Sequence, residues 1–257
     1  MRDFLEDAYE HRQDGYGRAQ AATKVPLMKR FYTAVTVEPV EGGHAILLDG
    51  KNMKTPSGKP VHVPTMALAE AMSREWEAQR DIIDFRSMPL VRLVHSAIES
   101  GPEGAQGFRD EIVKYAGNDL LLYRADTPDS LVKEQEDAWD PVLVALARQF
   151  GILFKPTVGI IHQPQPDETL AKLADTLASE DYLSLVGLMQ ITSLTGSGLL
   201  AIAHRRGLVD ADAVWAAAHV DEDHNVRLWG EDEEAQRRRQ YRFIEFNAAL
   251  RLLEALR

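Results

Sequence analysis

The sequence predicts an α+β protein: a small N-terminal antiparallel β-meander domain with one covering helix, then a larger all-helical domain. Three observations predict it. Apolar residues alternate with a period of two between Arg30 and Val63, and with a period of three to four from Thr65 onward. Turn-formers at strand spacing break up the first stretch, at Glu41-Gly42-Gly43, Asp49-Gly50 and Pro56-Ser57-Gly58. Strands that precede helices, rather than alternate with them, point away from a wound parallel sheet. The expected division is an arm over 1–29, a β-rich domain over 30–86 and a helical domain over 87–257.

Each element has its own signal. Phe31, Thr33, Val35 and Val37 alternate with Tyr32, Ala34 and Thr36, a first strand. His44–Leu48 makes a second, and Asp49-Gly50 leads by a two-residue hairpin into Lys51–Thr55. Pro60–Val63 follows as the last. Thr65 caps a helix to about Arg80, with Leu68, Met72 and Trp76 spaced by four. Ser87 ahead of Met88-Pro89 suits the start of the next helix. Gly101-Pro102 breaks the chain before a helix marked by Phe108, Ile112, Val113 and Tyr115. A helix from Thr127-Pro128 restarts or kinks at Asp140-Pro141, and 155–166, with three prolines, is irregular. Helices over 167–178 and 181–206 come next. Asp210 caps an Ala-rich helix as far as Gly230, and a last helix runs to the end.

Composition narrows the function. Of 257 residues, 45% are apolar and 27% charged, an ordinary globular balance. With no cysteine, thiol nucleophiles, thiolate metal sites and disulfides are excluded. A net charge of −11 argues against nucleic acid and anionic membranes. No apolar run reaches the length of a membrane span. Asp3, Glu6 and Asp7 make the first residues unlike a targeting peptide, so a cytoplasmic protein is expected. The free chain is expected to be a monomer.

The most unusual residues lie between Asp210 and Gly230. Trp215, His219, Val226 and Trp229 form one stripe at helical spacing, and Glu222 interrupts it. A carboxylate on an apolar face demands a cation, either an internal one such as Arg205, Arg206 or Arg227, or one from a partner. Asp221, Glu222 and His224 invite a second reading, a metal-dependent enzyme. Against it, there is one such motif only and no HExxH pattern, so no metal or other cofactor is expected. Glu233/Arg237 and Glu234/Arg238 are helix-surface pairs that need no functional explanation. The GxG of Gly196-Ser197-Gly198 follows helical sequence, so it reads as close packing, not a dinucleotide loop. Lys51, Lys54 and Lys59 read as charged edge residues of a hairpin. No constellation commits the chain to catalysis.

Several phrases, in order, resemble one family. They are FYTAVTV at 31–37, LDGKNMKTP at 48–56, REW at 74–76, Met88-Pro89-Leu90, DLLLYR at 119–124, AWDP at 138–141 and DEDHNVRLWGEDEE at 221–234. Their order and distances resemble the ATP12 (ATP-twelve) family, assembly chaperones for the alpha subunit of the ATP synthase F(1) sector. The resemblance implies a β-rich domain before a helical one and a non-enzymatic role. It implies that newly made alpha subunit is kept soluble, with the surface that later meets the beta subunit shielded. The family's acidic motif maps onto Asp221, Glu222, Trp229, Gly230 and Glu233, and Trp215 joins them through the stripe. The chain departs from the pattern at Ala138, His224 and Asn225. Mitochondrial members carry a targeting segment, which the first residues here do not resemble, so the resemblance implies a bacterial cytoplasmic member.

Overall fold

The computed structural model describes residues 28–257, so most of the expected arm lies outside the described residues. The meander is built on β3 (Gly43–Leu48), which is buried along most of its length. β2 (Val35–Val40) pairs with it antiparallel from Val35↔Leu48 to Val40↔Gly43. β4 (Lys51–Asn52) and β5 (His62–Val63) share its other edge. The first strand therefore opens at Val35, later than the alternation from Phe31 predicts. The reason is the hairpin. Asp49 and Gly50 have φ of 48° and 74°, the left-handed pair that a tight two-residue turn needs. The Asp49 carboxylate then accepts from the N–H groups of Thr33 and Ala34 at 3.0 and 2.8 Å, which removes them from any ladder. Phe31 is left exposed, and Tyr32 turns inward to donate its hydroxyl to the Trp76 carbonyl.

α1 (Met66–Glu77) covers the meander, capped by Thr65 as expected. It buries Leu68, Ala69, Met72 and Trp76. A strand pair between β1 (Met28–Lys29) and β6 (Ile82–Ile83), which periodicity over two residues cannot reveal, closes this region. α2 (Pro89–Ser100) starts where expected, but Ser87 does not cap it; its hydroxyl donates to the Asp84 carbonyl. The cap is Glu75, one helix away, whose carboxylate accepts from Leu90 and Val91 N–H at 3.1 and 2.9 Å. Lys59 reaches the far end of α2 and donates to the carbonyls of Ile98 and Glu99.

The rest is helical: α3 (Ala105–Gly117), α4 (Asp129–Phe150), α5 (Asp167–Leu177), α6 (Tyr182–Thr195), α7 (Gly198–Arg205), α8 (Ala211–Ala218), α9 (Val220–Trp229) and α10 (Glu233–Ala255). One parallel pair, β7 (Tyr123–Arg124) with β8 (Thr157–Val158), lies among them and pins the irregular 155–166 segment. α4 runs through Pro141 without restarting. The helix expected over 181–206 is two helices. Gly196 ends α6 in a left-handed turn (φ 70°), and a Cβ on Gly198 would lie 2.7 Å from the Ile112 carbonyl oxygen. Close packing is what that GxG serves. The helix expected from Asp210 to Gly230 also breaks, at His219, whose backbone leaves the helical region (φ −122°, ψ 16°).

The core has two clusters, and α6 belongs to both. Leu185, Leu188 and Ile191 join Trp139, Leu146 and Phe246 on the helical side. Leu183 and Val186 join Ile46, Leu68 and Met72 on the β side, together with Val94 of α2 and Leu252 of α10. Gly187 has no side chain where Leu253 of α10 presses in, with 3.1 Å available to a Cβ. Each fully buried aliphatic side chain here contributes about 1.5–3 kcal/mol.

Candidate functional site

α8, α9 and α10 fold around an open cleft of about 930 Å³. Local sequence explains its frame. Asp210 caps α8 by accepting from Ala213 N–H at 2.7 Å, and Asp232 caps α10 by accepting from Ala235 N–H at 2.7 Å. Gly230, at φ 86°, lets the chain reverse between α9 and α10. Two of the family-like phrases brace α8 from behind. Trp139 of the AWDP phrase is fully buried and donates its indole N–H to the Ala217 carbonyl at 2.8 Å. Arg124 of DLLLYR lies over the Trp139 ring and pairs with Asp140 at 2.7 Å.

The cleft has an apolar floor and a charged rim. Trp215 packs against Phe243 and Phe246, ring centroids 5.0 Å apart in both cases, and Val226 lines the opposite wall. On the rim stand Asp212, Glu222, Asp223, Glu231 and Asp232, facing Arg238, Arg239 and Arg242. These charges differ in how firmly they are held. Asp223 pairs with Arg239 through both carboxylate oxygens. Glu222 lies 3.6 Å from Arg242, a loose contact, because the other arm of that guanidinium donates to the Leu194 carbonyl. The Glu222 side chain is 55% exposed, so it is not the desolvated carboxylate that the stripe suggests. The internal cation is also not among the three considered. Arg205 and Arg206 pair with the buried Glu180, and Arg227 pairs with Glu134.

The remaining expected site residues scatter around this corner. Asp221 turns away from the cleft and accepts from Gln135 of α4 at 2.7 Å. His224 is buried, with Nδ1 3.2 Å from Glu134. Asp221, Glu222 and His224 therefore do not converge, and among the described residues no three His, Asp or Glu side chains are grouped to hold a metal ion. Trp229 ends α9 at 85% exposure, with Leu228 beside it also exposed. Glu233 opens α10 in solvent. Trp215 is half-buried in the floor.

Sequence reasoning missed Arg239 and Arg242 as rim residues, since no periodicity tells how α10 folds back along α9. It also missed the situation of His219. The ring of His219 packs on Trp215 with centroids 4.1 Å apart and planes tilted by 41°, and Nδ1 lies 2.7 Å from the Trp215 carbonyl. A carbonyl only accepts, so Nδ1 carries the proton. Nε2 is then an acceptor; it is buried, has no hydrogen-bond partner among the described residues and lies 3.9 Å from Oε2 of Glu222. Burial holds the His219 pKa below the usual 6.5, and the positive Arg239 and Arg242 act in the same direction; the Trp215 hydrogen bond and Glu222 oppose them.

Known proteins share this fold. The model of the ATP12 chaperone protein family matches residues 29–147. A crystal structure of a protein from Agrobacterium tumefaciens superposes with a TM-score of 0.87 at 43% identity, covering 100% of this chain and 97% of that one. Atp12 from Paracoccus denitrificans superposes with a TM-score of 0.83 at 36% identity, over 90% of this chain and 99% of that one. The mitochondrial Atp12 of Schizosaccharomyces pombe is 24% identical over 230 residues, 85% of this chain and 79% of its own length. With 36% identity to Atp12 from Paracoccus denitrificans over 90% of this chain and 99% of that one, this protein belongs to the ATP12 chaperone family.

Proposed function

We propose that this chain is an ATP-independent assembly chaperone. It binds newly made alpha subunit of the ATP synthase F(1) sector and keeps it soluble until the beta subunit joins. The observation that carries the reading is the cleft: an apolar floor rimmed by charges, in which the cation nearest Glu222 among the described residues, Arg242, is held only loosely at 3.6 Å. A side chain in that state can change partner at little cost, and an arginine of the alpha subunit would pair with it in bidentate fashion. Trp229 and Leu228, exposed at the C-terminal end of α9 outside the cleft lining, offer further apolar surface that such a partner would cover. Trp215 belongs to the floor of the same surface, while Asp221 and Glu233 support it from the flanks.

The test is suppression of alpha-subunit aggregation by the purified chain, without added nucleotide. Glu222→Ala is expected to weaken alpha-subunit binding by about 2–3 kcal/mol, and Glu222→Lys by more, because it sets like charges together. Full suppression by both variants would remove Glu222 from the site. Failure of the unaltered chain to capture alpha subunit at all would remove the function.

A further inference from the structure

We propose that His219 is a second acceptor of the Glu222 site, so that the site takes a guanidinium from the partner between His219 Nε2 and Glu222 Oε2. This rests on the reading of the cleft as the partner-binding surface. Its own observation is separate: a fully buried side chain whose Nε2 lies 3.9 Å from Glu222, a residue of the cleft lining, and has no hydrogen-bond partner among the described residues.

The geometry argues as follows. The Trp215 carbonyl fixes the tautomer, so the Nε2 lone pair faces Glu222. Two acceptors 3.9 Å apart repel, and among the described residues no donor bonds Nε2. A single terminal nitrogen of a guanidinium has two diverging N–H groups, which suits two acceptors at this separation. Glu222 stays in place, and the group an incoming cation displaces is Arg242, 41% exposed and only loosely held at 3.6 Å. A buried acceptor left unbonded costs free energy until a donor arrives, which makes the pair select for a donor-rich cation over an apolar group. The charged groups around the ring are Glu222 and Asp223 from α9 and Arg239 and Arg242 from α10. The two arginines disfavour an imidazolium, and burial does so too, so His219 stays an acceptor at neutral pH. Protonation would turn Nε2 into a donor to Glu222 and close the site to an incoming cation.

The experiment follows the Nε2 resonance of His219 by nitrogen NMR in chain labelled at histidine. Titration with ethylguanidinium chloride should move it saturably toward the hydrogen-bonded position, and Glu222→Ala should abolish the movement. A change no larger than potassium chloride produces overturns the proposal, even if alpha subunit fails to bind. Where alpha subunit does bind, the same movement is expected in the complex. His219→Phe keeps a ring against Trp215, and its fold is checked by circular dichroism. It should bind alpha subunit about tenfold more weakly through loss of the acceptor. Binding within about twofold of the unaltered chain, with Nε2 unmoved in the complex, would also overturn it.

Discussion

The meander region and the α8–α10 cleft each hold carboxylates in family-like sequence, and some are anchored while others are not. Around the meander, three acidic side chains accept from donors that the chain itself supplies. Asp49 holds the start of β2, Glu75 caps α2 from a neighbouring helix, and Glu99 accepts from the Ser57 hydroxyl and N–H. The hydroxyls of Ser57 and Thr55 hold the Glu99 carboxyl down at about 2. At the corner, Glu222 and Glu231 face a cleft without such anchors. The contrast teaches that a carboxylate in a family motif is not by itself a binding group. What separates the two kinds is whether the chain already supplies donors at hydrogen-bond distance.

The comparison can be broken at its most buried point. Asp119 is fully buried and ties two segments, accepting from Leu121 N–H at 3.2 Å and Leu199 N–H at 3.0 Å. Asp119→Ala strands both donors and should cost about 3 kcal/mol or more in urea unfolding. Burial pushes its carboxyl up from 3.8 to about 7, against hydrogen bonds from Ser197, Leu199, Leu121 and Gly198 that pull it down. The folded chain therefore keeps this proton to higher pH than the unfolded chain does. Its contribution is full below about pH 4 and is lost as pH rises through 7, a slope that Asp119→Asn should remove.

A smaller effect is expected at Glu75. Removing a helix cap typically costs about 1–2 kcal/mol, so Glu75→Ala should lower the melting temperature without touching the cleft. If alpha-subunit binding fell while the fold survived, the division between anchoring and idle carboxylates would be wrong. The smallest effect on stability belongs to Glu222. Its partner is loose and its side chain half in water, so Glu222→Ala should change unfolding free energy by less than about 0.5 kcal/mol. Melting by circular dichroism beside aggregation suppression on the same preparation checks both sides of the contrast. His219 sharpens it further. With a pKa below 6.5 in the folded chain, it binds fewer protons than the unfolded chain just under that value, so stability should begin to fall as pH drops below about 6.5. His219→Phe should flatten that part of the profile.

Much of this fold was legible in the residues. The Asp49-Gly50 hairpin, the Thr65 and Asp210 caps and the packing role of Gly198 were all read from local chemistry, and each is a local property. What escaped was non-local. Nothing near Pro89 announces that its helix is capped from Glu75, and no spacing in 210–230 says that the helix stops at His219. The stripe through Trp215, Glu222 and Trp229 assumed an unbroken helix. It still led to the cleft, because Trp215 and Glu222 end up on the same cleft across the break. Arg242 could not be assigned to Glu222 from sequence, since their meeting depends on the reversal at Gly230.

One feature of the core bears on how the cleft can work. Because α6 contributes side chains to both clusters, neither half can lose its packing without exposing apolar surface of the other. The chain should then open as a single cooperative unit, with the amides of α6 exchanging with solvent only through global unfolding. α10 also packs into both clusters, so the cleft stands on a frame with little conformational freedom to surrender. In the proposed complex the entropy of ordering would then fall on the incoming partner, with the cleft as a preformed template.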